Sequence, residues 1–390
     1  MAKSEAVPVR IGIVAGEASG DALGARLLRA VKSQLPHVVV EGIGGPQMQA
    51  EGCTSLFPME QLSVFGLTEI VGHYRDLKRI RQALVSHFSK QRPDVFIGVD
   101  SPGFNLGLEE ALRARGIRTV HFVSPQVWAW RTWRVHQIRR AVDRMLVMFP
   151  FEVEFYARHG IEAVFVGHPL ADEILEQREP YSARLELGLD SARTTVALLP
   201  GSRVSELKAH ARLFADTAAW LHAHSPQLQF VSPFINAETR RLFEAAQQQL
   251  GERAAPVLCL NGRSRDALIA ADVVVCASGT ATLETLLVGR PMVVTYRVSW
   301  VTSWLVRMFS HLERYAMPNH LAGRALVPEL LQRDAVPEKL GAAVMHYLES
   351  PKEVANLLGQ FREIALSLRG NAAEHAAAAV IELLGEATVH

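Results

Sequence analysis

The sequence contains little cysteine and no long apolar run. Its three cysteines, Cys53, Cys259 and Cys276, are far apart and show no C-x-x-C spacing. This argues against a disulfide framework or a zinc knuckle and is typical of a protein in a reducing cytosol. No stretch approaches the about 18 uninterrupted apolar residues of a membrane-spanning helix. Met1 to Arg10 carry charge and a proline but no apolar signal core, so we expect a cytoplasmic protein that is soluble or peripherally attached to a membrane.

An excess of charge of one sign is also lacking. The 41 Lys and Arg residues nearly balance the 40 Asp and Glu residues, and the net charge is +1. The chain as a whole therefore has no field that would attract nucleic acid. Apolar residues make up 49%, charged residues 21% and aromatic residues 7%, which excludes disordered, collagen-like and coiled-coil proteins. At about 150 residues per domain, 390 residues predict two or three domains.

What the sequence does contain is an alternation of short β-rich runs with helical periodicity. In the first part the predicted strands are Arg10–Ala15, Val38–Ile43, Asp94–Val99, Thr119–Val123, Met145–Phe149 and Ala163–Val166. In the second part they are Thr195–Leu199, Gln229–Pro233, Val257–Leu260, Val273–Cys276 and Met292–Thr295. The pattern predicts an α/β fold of two doubly wound, Rossmann-like domains facing a cleft, over 1–168 and 169–369, with a helical C-terminal tail. After about residue 325 we expect only helix, and such a tail could pack on either domain or on a neighbouring subunit of a homo-oligomer.

The loop after the first strand is glycine-rich and polar. It contains Gly16, Glu17, Ser19 and Gly20, which suit a tight turn and a helix start. The spacing is not G-x-G-x-x-G, and the acidic Glu17 would sit where a pyrophosphate binds, which disfavours a nicotinamide cofactor. The loop is either an ordinary strand-to-helix turn or a site for substrate hydroxyl groups.

Asp100 ends an apolar strand and precedes a Pro-Gly turn into a helix. Ligands of doubly wound sheets bind outside the carboxyl ends of the strands. A carboxylate placed there can accept a proton from a hydroxyl nucleophile. The alternative is a helix N-cap or the partner of a nearby arginine.

The segment 124–134 carries three tryptophans, Trp128, Trp130 and Trp133, and two arginines. Aromatic faces suit sugar rings or acyl chains, and arginines suit phosphate. Packing of a long loop is the structural alternative. Single-stranded nucleic acid would use the same residue types, but the neutral net charge disfavours it.

Two turns in the second domain are suited to anions. Gly201, Ser202 and Arg203 follow one strand, and Ser278, Gly279 and Thr280 follow another. Amides and hydroxyls at helix N-termini would cradle a diphosphate, although neither turn is an ATPase phosphate loop. Glu284, one turn into its helix, could hold a ribose through its two hydroxyls or serve as a capping-box partner. The pair of turns predicts binding of a nucleoside diphosphate.

The histidines show no metal-ligand spacing, and no D-x-D pair follows a strand. We therefore expect no metal, no cofactor and metal-independent chemistry. The stretch 64–88 has apolar residues at helical spacing and several basic residues, so it is either a core helix or a helix on an anionic membrane surface. Val64 and Phe65 are the expected exposed apolar residues.

Several segments together resemble the lipid-A-disaccharide synthase family. They lie in order along nearly the whole chain at 16–21, 44–48, 99–102, 123–131, 167–169, 199–203, 278–284 and 318–324. The tryptophan-rich segment is the most specific of them. Some members of the family have alanine at position 101 and aspartate at 103; the Ser101 and Gly103 of this chain leave Asp100 unaffected.

The resemblance implies an inverting GT-B glycosyltransferase that joins UDP-2,3-diacylglucosamine to 2,3-diacylglucosamine 1-phosphate at the cytoplasmic face of the inner membrane. It implies an acceptor-binding first domain, with Asp100 as the base and with Glu17 and Ser19 orienting the acceptor. It also implies a UDP-sugar-binding second domain whose cleft includes Asn319 and Arg324. The helices of about 370–390 are expected to return to the first domain.

Two rival functions remain open from the sequence. A UDP-sugar 2-epimerase has the same two-domain architecture, but it needs several acid and base residues around one sugar and no acyl-chain surface. A non-catalytic ligand-binding protein is usually exported, and we find no signal segment.

Overall fold

The structure divides into two α/β units. The computed structural model describes residues 8–62, 70–129, 132–174, 179–297 and 314–385, without the side chains of 70–74. Unit 1 comprises the residues up to Asp172 together with those from Leu368 onward, and unit 2 comprises Glu173–Ser367.

Unit 1 is built on a seven-stranded parallel sheet. Its strands are β1 (Val9–Ala15), β2 (Val38–Ile43), β3 (Cys53–Ser55), β4 (Val95–Val99), β5 (Arg118–Phe122), β6 (Arg144–Val147) and β7 (Glu162–Phe165). The strand order is β3-β2-β1-β4-β5-β6-β7. The helices of the first 173 residues are α1 (Ala18–Gln34), α2 (Pro46–Ala50), α3 (Ile70–Gln91), α4 (Pro102–Arg113), α5 (Val135–Ala141), α6 (Pro150–Ala157) and α7 (Pro169–Glu173).

The central strands of unit 1 are apolar because both faces of the sheet are covered. Every residue of β4 is buried. Its side chains alternate between two cores: Ile97 packs with residues of α1, whereas Phe96 packs with residues of α3 and α4. Continuous apolar runs of this kind are the signature of parallel strands buried on both sides, so the sequence pattern was interpreted correctly here.

The C-terminal helix α16 (Ala372–Gly385) belongs to unit 1. Ala376, Ala377 and Val380 are buried in the same core cluster as Leu27 and Leu28 of α1. The alanine-rich run is thus a helix-packing face, because small side chains let two helices approach closely. Two further contacts hold the start and the middle of this helix. Asp172 accepts hydrogen bonds from the Ala372 amide, the first of α16, at 2.8 Å and from the two amides before it, and the buried Arg144 donates to the Ala379 carbonyl at 2.7 Å.

Unit 2 contains a second parallel sheet, of six strands. They are β8 (Thr195–Leu199), β9 (Gln229–Phe234), β10 (Val257–Asn261), β11 (Val273–Ala277), β12 (Met292–Tyr296) and β13 (Glu329–Leu331), in the order β10-β9-β8-β11-β12-β13. The described helices are α8 (Pro180–Leu187), α9 (Val204–His224), α10 (Ala237–Gln248), α11 (Ser264–Ala270), α12 (Thr280–Val288), α13 (Met317–Leu321), α14 (Pro337–Glu349) and α15 (Pro351–Ser367). The two parallel sheets and the helical tail confirm the predicted fold class.

The edge strands β3 and β13 were not predicted. The expectation of helix alone after about residue 325 is wrong at β13, which pairs with β12 through Thr295 and Leu330. Each of these strands has three residues, too few to show a period of two. They are strands because a neighbouring strand offers them hydrogen bonds, which only the tertiary structure supplies.

The predicted amphipathic helix 64–88 lies only partly in the described chain. Helix α3 begins at Ile70, and Val64 and Phe65 lie outside the described residues. Ile80, Leu84 and Phe88 of this helix are buried in a core cluster, as its structural alternative requires. Across the described ranges, no helix is both long enough and apolar enough to cross a bilayer.

Candidate functional site

In both units the predicted site residues follow the two central strands. Unit 1 reverses its strand order between β1 and β4, and unit 2 reverses it between β8 and β11. Loops diverge at such a switch point and leave a crevice at the carboxyl ends of the strands. Gly16 and Asp100 lie at the crevice of unit 1, and Gly201 and Gly279 at that of unit 2. The topology thus places the candidate residues at two positions where ligands of such sheets bind.

In unit 1, Gly16 and the Asp100 turn are fitted to each other. A Cβ atom at Gly16 would overlap with the Ser101 hydroxyl, so a larger residue here would require the Ser101 side chain to move. Asp100 and Ser101 both have left-handed backbones, with φ of 51° and 44°. Such conformations in residues other than glycine cost about 1–2 kcal/mol each. No hydrogen bond to the Asp100 carboxylate is found among the described residues, and the side chain is partly buried.

The other predicted residues of this loop lie at the start of α1. Glu17 is the residue before the helix, Ser19 is its second residue, and both side chains are exposed. Gly20 is buried against the end of β4, where a Cβ would lie 3.5 Å from the Val99 carbonyl oxygen. Gly20 is thus part of the packed core, whereas Glu17 and Ser19 are available to a ligand.

Asp21 has a structural role that sequence reasoning missed. Its two carboxylate oxygens accept hydrogen bonds from the amides of Gln47 and Met48, both at 3.0 Å. It thereby caps α2 and ties the segment 44–48 to the first loop. This contact joins two of the segments that carry the resemblance, 16–21 and 44–48.

The tryptophan-rich segment is anchored by a buried carboxylate, Glu152 of α6. Trp128 donates its indole N–H to Glu152 at 3.1 Å, and the Phe149 amide donates to the same side chain at 3.1 Å. Glu152 is 2% exposed. Its burial raises its pKa to about 7, against the hydrogen bonds that favour the ionised form, the one with Ser124 foremost. The Trp128 side chain is thus held in place, while Trp133 is exposed and Trp130 and Arg131 lie outside the described residues.

In unit 2 the turn after β8 is partly filled by Glu206. Its carboxylate accepts hydrogen bonds from the amides of Ser202 at 2.9 Å and Arg203 at 3.2 Å. The Gly201 backbone has φ of 128°, and a Cβ there would lie 2.6 Å from the same carboxylate. These amides are therefore engaged. What this turn offers to an anion is the Arg203 guanidinium, which lies 3.5 Å from the Glu206 carboxylate and whose side chain is 80% exposed.

His210 joins this turn to the end of β12. Its Nδ1 lies 2.9 Å from the Pro200 carbonyl oxygen, and its Nε2 accepts from the Arg297 amide at 2.9 Å. Burial lowers the pKa of His210, which favours the neutral ring that this pattern of donor and acceptor requires. A lone histidine gave no signal of this role in the sequence.

The turn after β11 departs in one detail from the expected phosphate cradle. The Ser278 amide donates to the Thr295 carbonyl at 3.0 Å, and its hydroxyl donates to the Tyr315 carbonyl at 2.8 Å. Ser278 therefore positions the loop, and its donors are not available to a diphosphate. Gly279 is the residue before α12 and Thr280 is its first residue, and the amides at a helix start have no carbonyl one turn earlier to bind. Gly279 has φ of 150°, a conformation that favours glycine.

The remaining predicted residues of unit 2 differ in how accessible their side chains are to a ligand. Glu284 is partly buried; burial raises the pKa of its carboxyl group, and Arg265 opposes this. Arg324 is exposed and hydrogen-bonded to Gln360. The Asn319 side chain is 2% exposed, and it bonds to the Val327 amide at 2.8 Å and to Glu329 at 2.8 Å. Asn319 thus shapes this loop from within.

Glu329 is a further residue that the sequence did not reveal. Besides Asn319 it accepts the amides of Tyr315 at 3.1 Å and Ala316 at 2.9 Å. It fixes the segment that the Ser278 hydroxyl also holds. Among the described residues, no group of three or more His, Cys, Asp or Glu side chains could hold a metal ion, and metal independence stays a prediction.

Solved structures resemble this chain in fold. The UDP-GlcNAc 2-epimerase of Neisseria meningitidis, bound to UDP-GlcNAc, has a TM-score of 0.59 at 10% identity, with 97% of this chain and 100% of that chain covered. MurG of Acinetobacter baumannii has a TM-score of 0.57 at 14% identity, with 96% and 100% covered. These likenesses confirm the predicted GT-B fold and, at such identities, nothing finer.

Sequence relatives are far closer. Lipid-A-disaccharide synthase of Azotobacter vinelandii is 49% identical over 376 residues, covering 96% of this chain and 98% of the relative. That of Hahella chejuensis is 44% identical over 382 residues, covering 98% and 96%. The profile of the lipid-A-disaccharide synthetase family matches residues 11–382. The chain therefore belongs to the lipid-A-disaccharide synthase family, as its motifs predicted.

Proposed function

We propose that this glycosyltransferase of lipid A synthesis transfers its sugar with inversion and without a metal ion. The donor is UDP-2,3-diacylglucosamine, and the acceptor is the 6-hydroxyl of 2,3-diacylglucosamine 1-phosphate. The products are a β-1,6-linked tetraacyl disaccharide 1-phosphate and UDP. One observation carries the proposal: at the crevice of unit 1, a strained turn presents the Asp100 carboxylate, to which no described residue donates a hydrogen bond.

Unit 2 binds the donor in this proposal. The amides of Gly279 and Thr280 and the guanidinium of Arg203 would bind the diphosphate, because each presents positive charge at the switch point of the sheet. Glu284 would accept the ribose hydroxyls. Arg324 would lie beside the nucleotide, and Asn319 would keep the neighbouring loop in shape.

Unit 1 binds the acceptor. Asp100 would take the proton of the attacking 6-hydroxyl, while Glu17 and Ser19 would orient the acceptor sugar through their exposed side chains. General-base catalysis of this kind is typically worth about 10²–10⁴-fold. Attack from the face opposite the diphosphate gives inversion at the anomeric carbon.

The leaving group explains why one carboxylate is enough. A nucleoside diphosphate departs without needing a proton, whereas glycoside hydrolysis needs a second carboxyl group as acid. The negative charge that grows on the diphosphate is offset by fixed positive groups, here Arg203 and the start of α12. This is the task that a divalent cation performs in metal-dependent transferases.

An assay with both substrates tests the function. The purified chain is incubated with UDP-2,3-diacylglucosamine alone and with 2,3-diacylglucosamine 1-phosphate added, and released UDP is measured with and without a chelator. We expect UDP release that requires the acceptor and is unaffected by the chelator. UDP release or sugar epimerisation without the acceptor would support the 2-epimerase alternative, and binding without turnover would support a non-catalytic protein.

We also propose that the chain acts peripherally at the cytoplasmic face of the inner membrane. Both substrates carry acyl chains, and α3 bears several basic side chains, including Arg75, Lys78 and Arg79. Polar replacement of Val64 and Phe65, in the segment just before α3, is expected to reduce sedimentation with anionic lipid vesicles but not UDP binding. Unchanged sedimentation would contradict this assignment.

A further inference from the structure

The core of unit 1 contains a polar cluster that the proposed mechanism does not use. Asn105 and Glu109 lie one turn apart on α4, His121 lies on β5, and all three side chains are 0% exposed. His121 Nδ1 and Glu109 Oε1 are 2.7 Å apart. Glu109 Oε2, His121 Nε2 and Asn105 Oδ1 have no hydrogen-bond partner. Buried polar atoms are nearly always paired, so a cluster with three unpaired atoms requires an explanation.

Stability alone does not explain the cluster. Well-packed apolar residues in place of a buried ion pair are often neutral or stabilising, because they remove the desolvation of two charged groups. Burial raises the pKa of Glu109, and the contact with His121 opposes this. A pair of apolar side chains at these two positions would therefore serve the stability of the core at least as well.

The cluster lies directly beneath the Asp100 turn. Gly98, two residues before Asp100, faces His121 across the β4–β5 pair. A Cβ atom at Gly98 would overlap with the Glu109 carboxylate and would lie 2.9 Å from the Asn105 Cβ. The glycine therefore leaves the space in which the cluster sits.

The Asp100 backbone is held on its carbonyl side by Asn105 of this cluster and on its amide side by β5. The Asn105 amide group donates to the Asp100 carbonyl at 2.9 Å and also approaches the carbonyls of Val99 and Val14. The Asp100 amide donates to the carbonyl of Phe122, the residue after His121, at 2.8 Å. These bonds hold Asp100 in its left-handed conformation, which would otherwise relax.

We propose that Asn105, Glu109 and His121 are positioning residues for Asp100. Asn105 fixes the carbonyl side of the turn. The Glu109–His121 pair fastens α4 to β5 and so sets the spacing between Asn105 and the Phe122 carbonyl. The proposal rests on the proposed role of Asp100 as the base. It implies that the unpaired atoms are retained because they position Asp100, and not because they stabilise the fold.

Two variants test the proposal without leaving a charge unpaired in the core. Asn105→Leu is nearly isosteric and removes the three donated contacts. The double variant Glu109→Met with His121→Phe replaces the pair by apolar side chains of similar size. Turnover, the KM for each substrate and the Kd for UDP are measured well below the melting temperature of each variant. We expect kcat to fall at least tenfold in both, with the Kd for UDP within twofold of that of the wild type, because UDP binds to unit 2.

A third variant controls for general loss of stability. Arg144→Met removes a buried charge of β6, away from the cluster, that contacts Glu162 of β7 and the Ala379 carbonyl of α16. We expect it to lower the melting temperature while leaving kcat within twofold. A kcat within twofold of the wild type in either test variant, with Asp100→Ala inactive, would overturn the proposal. An active Asp100→Ala variant would instead overturn the proposed role of Asp100.

Discussion

The two units differ at strand ends near the switch point of each sheet. In unit 1 the chain leaves β4 through Asp100 and Ser101, and it leaves β5 through Val123, all with positive φ between 44° and 79°. In unit 2 it leaves β8 and β11 through Gly201 and Gly279, with φ of 128° and 150°. Residues with side chains are strained in such conformations, whereas glycine is not. Unit 1 therefore stores strain at its crevice, and unit 2 avoids it.

The difference follows from what each crevice presents. The proposed general base needs a side chain, so in this proposal glycine cannot replace Asp100 and the strain is held by surrounding contacts. In the proposed donor site the amides of Gly279 and Thr280 would bind the diphosphate, and no side chain is needed at position 279.

The largest effect is expected at Asp100. Asp100→Ala removes the proposed base, so turnover should fall at least a hundredfold, within the about 10²–10⁴-fold range of base catalysis. Binding of UDP, measured by calorimetry, should be unchanged. Ser101→Gly is the matched control, because it relieves the adjacent strain and keeps the carboxylate; its turnover should stay within a few-fold. Equal losses in both variants would show that the backbone, not the carboxylate, is what matters.

The next effect concerns two capping glutamates, Glu152 in unit 1 and Glu206 in unit 2, which accept the amide of the residue before their helix. Folding raises the pKa of Glu152 from 4.5 to about 7. Its stabilising contribution is therefore full below pH 4.5 and is lost as the pH rises through about 7. Between pH 4.5 and a pH above 7, the free energy of unfolding of the wild type should fall by about 3 kcal/mol relative to that of Glu152→Gln.

Urea unfolding from pH 4.5 to pH 8 measures this difference. Glu206→Gln serves as the control for loss of a helix cap in the other unit. A stability difference between the wild type and Glu152→Gln that does not change with pH would contradict the assignment. Near-neutral titration should also change the fluorescence of Trp128, whose indole bonds to this carboxylate.

A smaller effect is expected for the exposed cation of unit 2. Arg203→Ala should raise the KM for the UDP-sugar by about 10–100-fold, since charge-assisted hydrogen bonds contribute about 1.5–3 kcal/mol. The KM for the acceptor should be little changed. Arg212→Ala is the control, because Arg212 lies on α9, which follows Arg203, and is paired with Asp216. It should leave the KM for both substrates unchanged. An equal rise in the KM for both substrates would contradict the assignment of Arg203 to the donor site.

The smallest effect compares the two ends of α12. Gly279 precedes the helix and Gly289 follows it, with φ of 150° and 71°. Alanine at either position should destabilise the chain by about 1 kcal/mol, because both backbones are strained for other residues. Only Gly279→Ala should weaken UDP binding, by about tenfold, since it disturbs the amides that face the diphosphate. Equal UDP affinity in the two variants would remove these amides from the proposed site.

Much of the fold was predictable because it depends on local patterns. The apolar run before Asp100 and the Pro-Gly turn after it placed this carboxylate at a strand end, where the structure has it. The engagement of Ser278 was not predictable, because its partners Thr295 and Tyr315 belong to other parts of the chain. The same holds for Glu329, a surface-type residue in sequence that binds three groups of a distant loop.

The sequence by itself determined the two-domain α/β class, the carboxyl-end positions of the site residues and the family. Each of these depends on periodicity, on glycine and proline, or on short motifs, all of which are encoded by neighbours along the chain. Only the tertiary structure decided the strand order, the short edge strands and the cluster in which Gly98 makes room for Glu109 and His121. Such features depend on which distant residues meet and on whether buried polar atoms find partners, and that is a property of the folded chain.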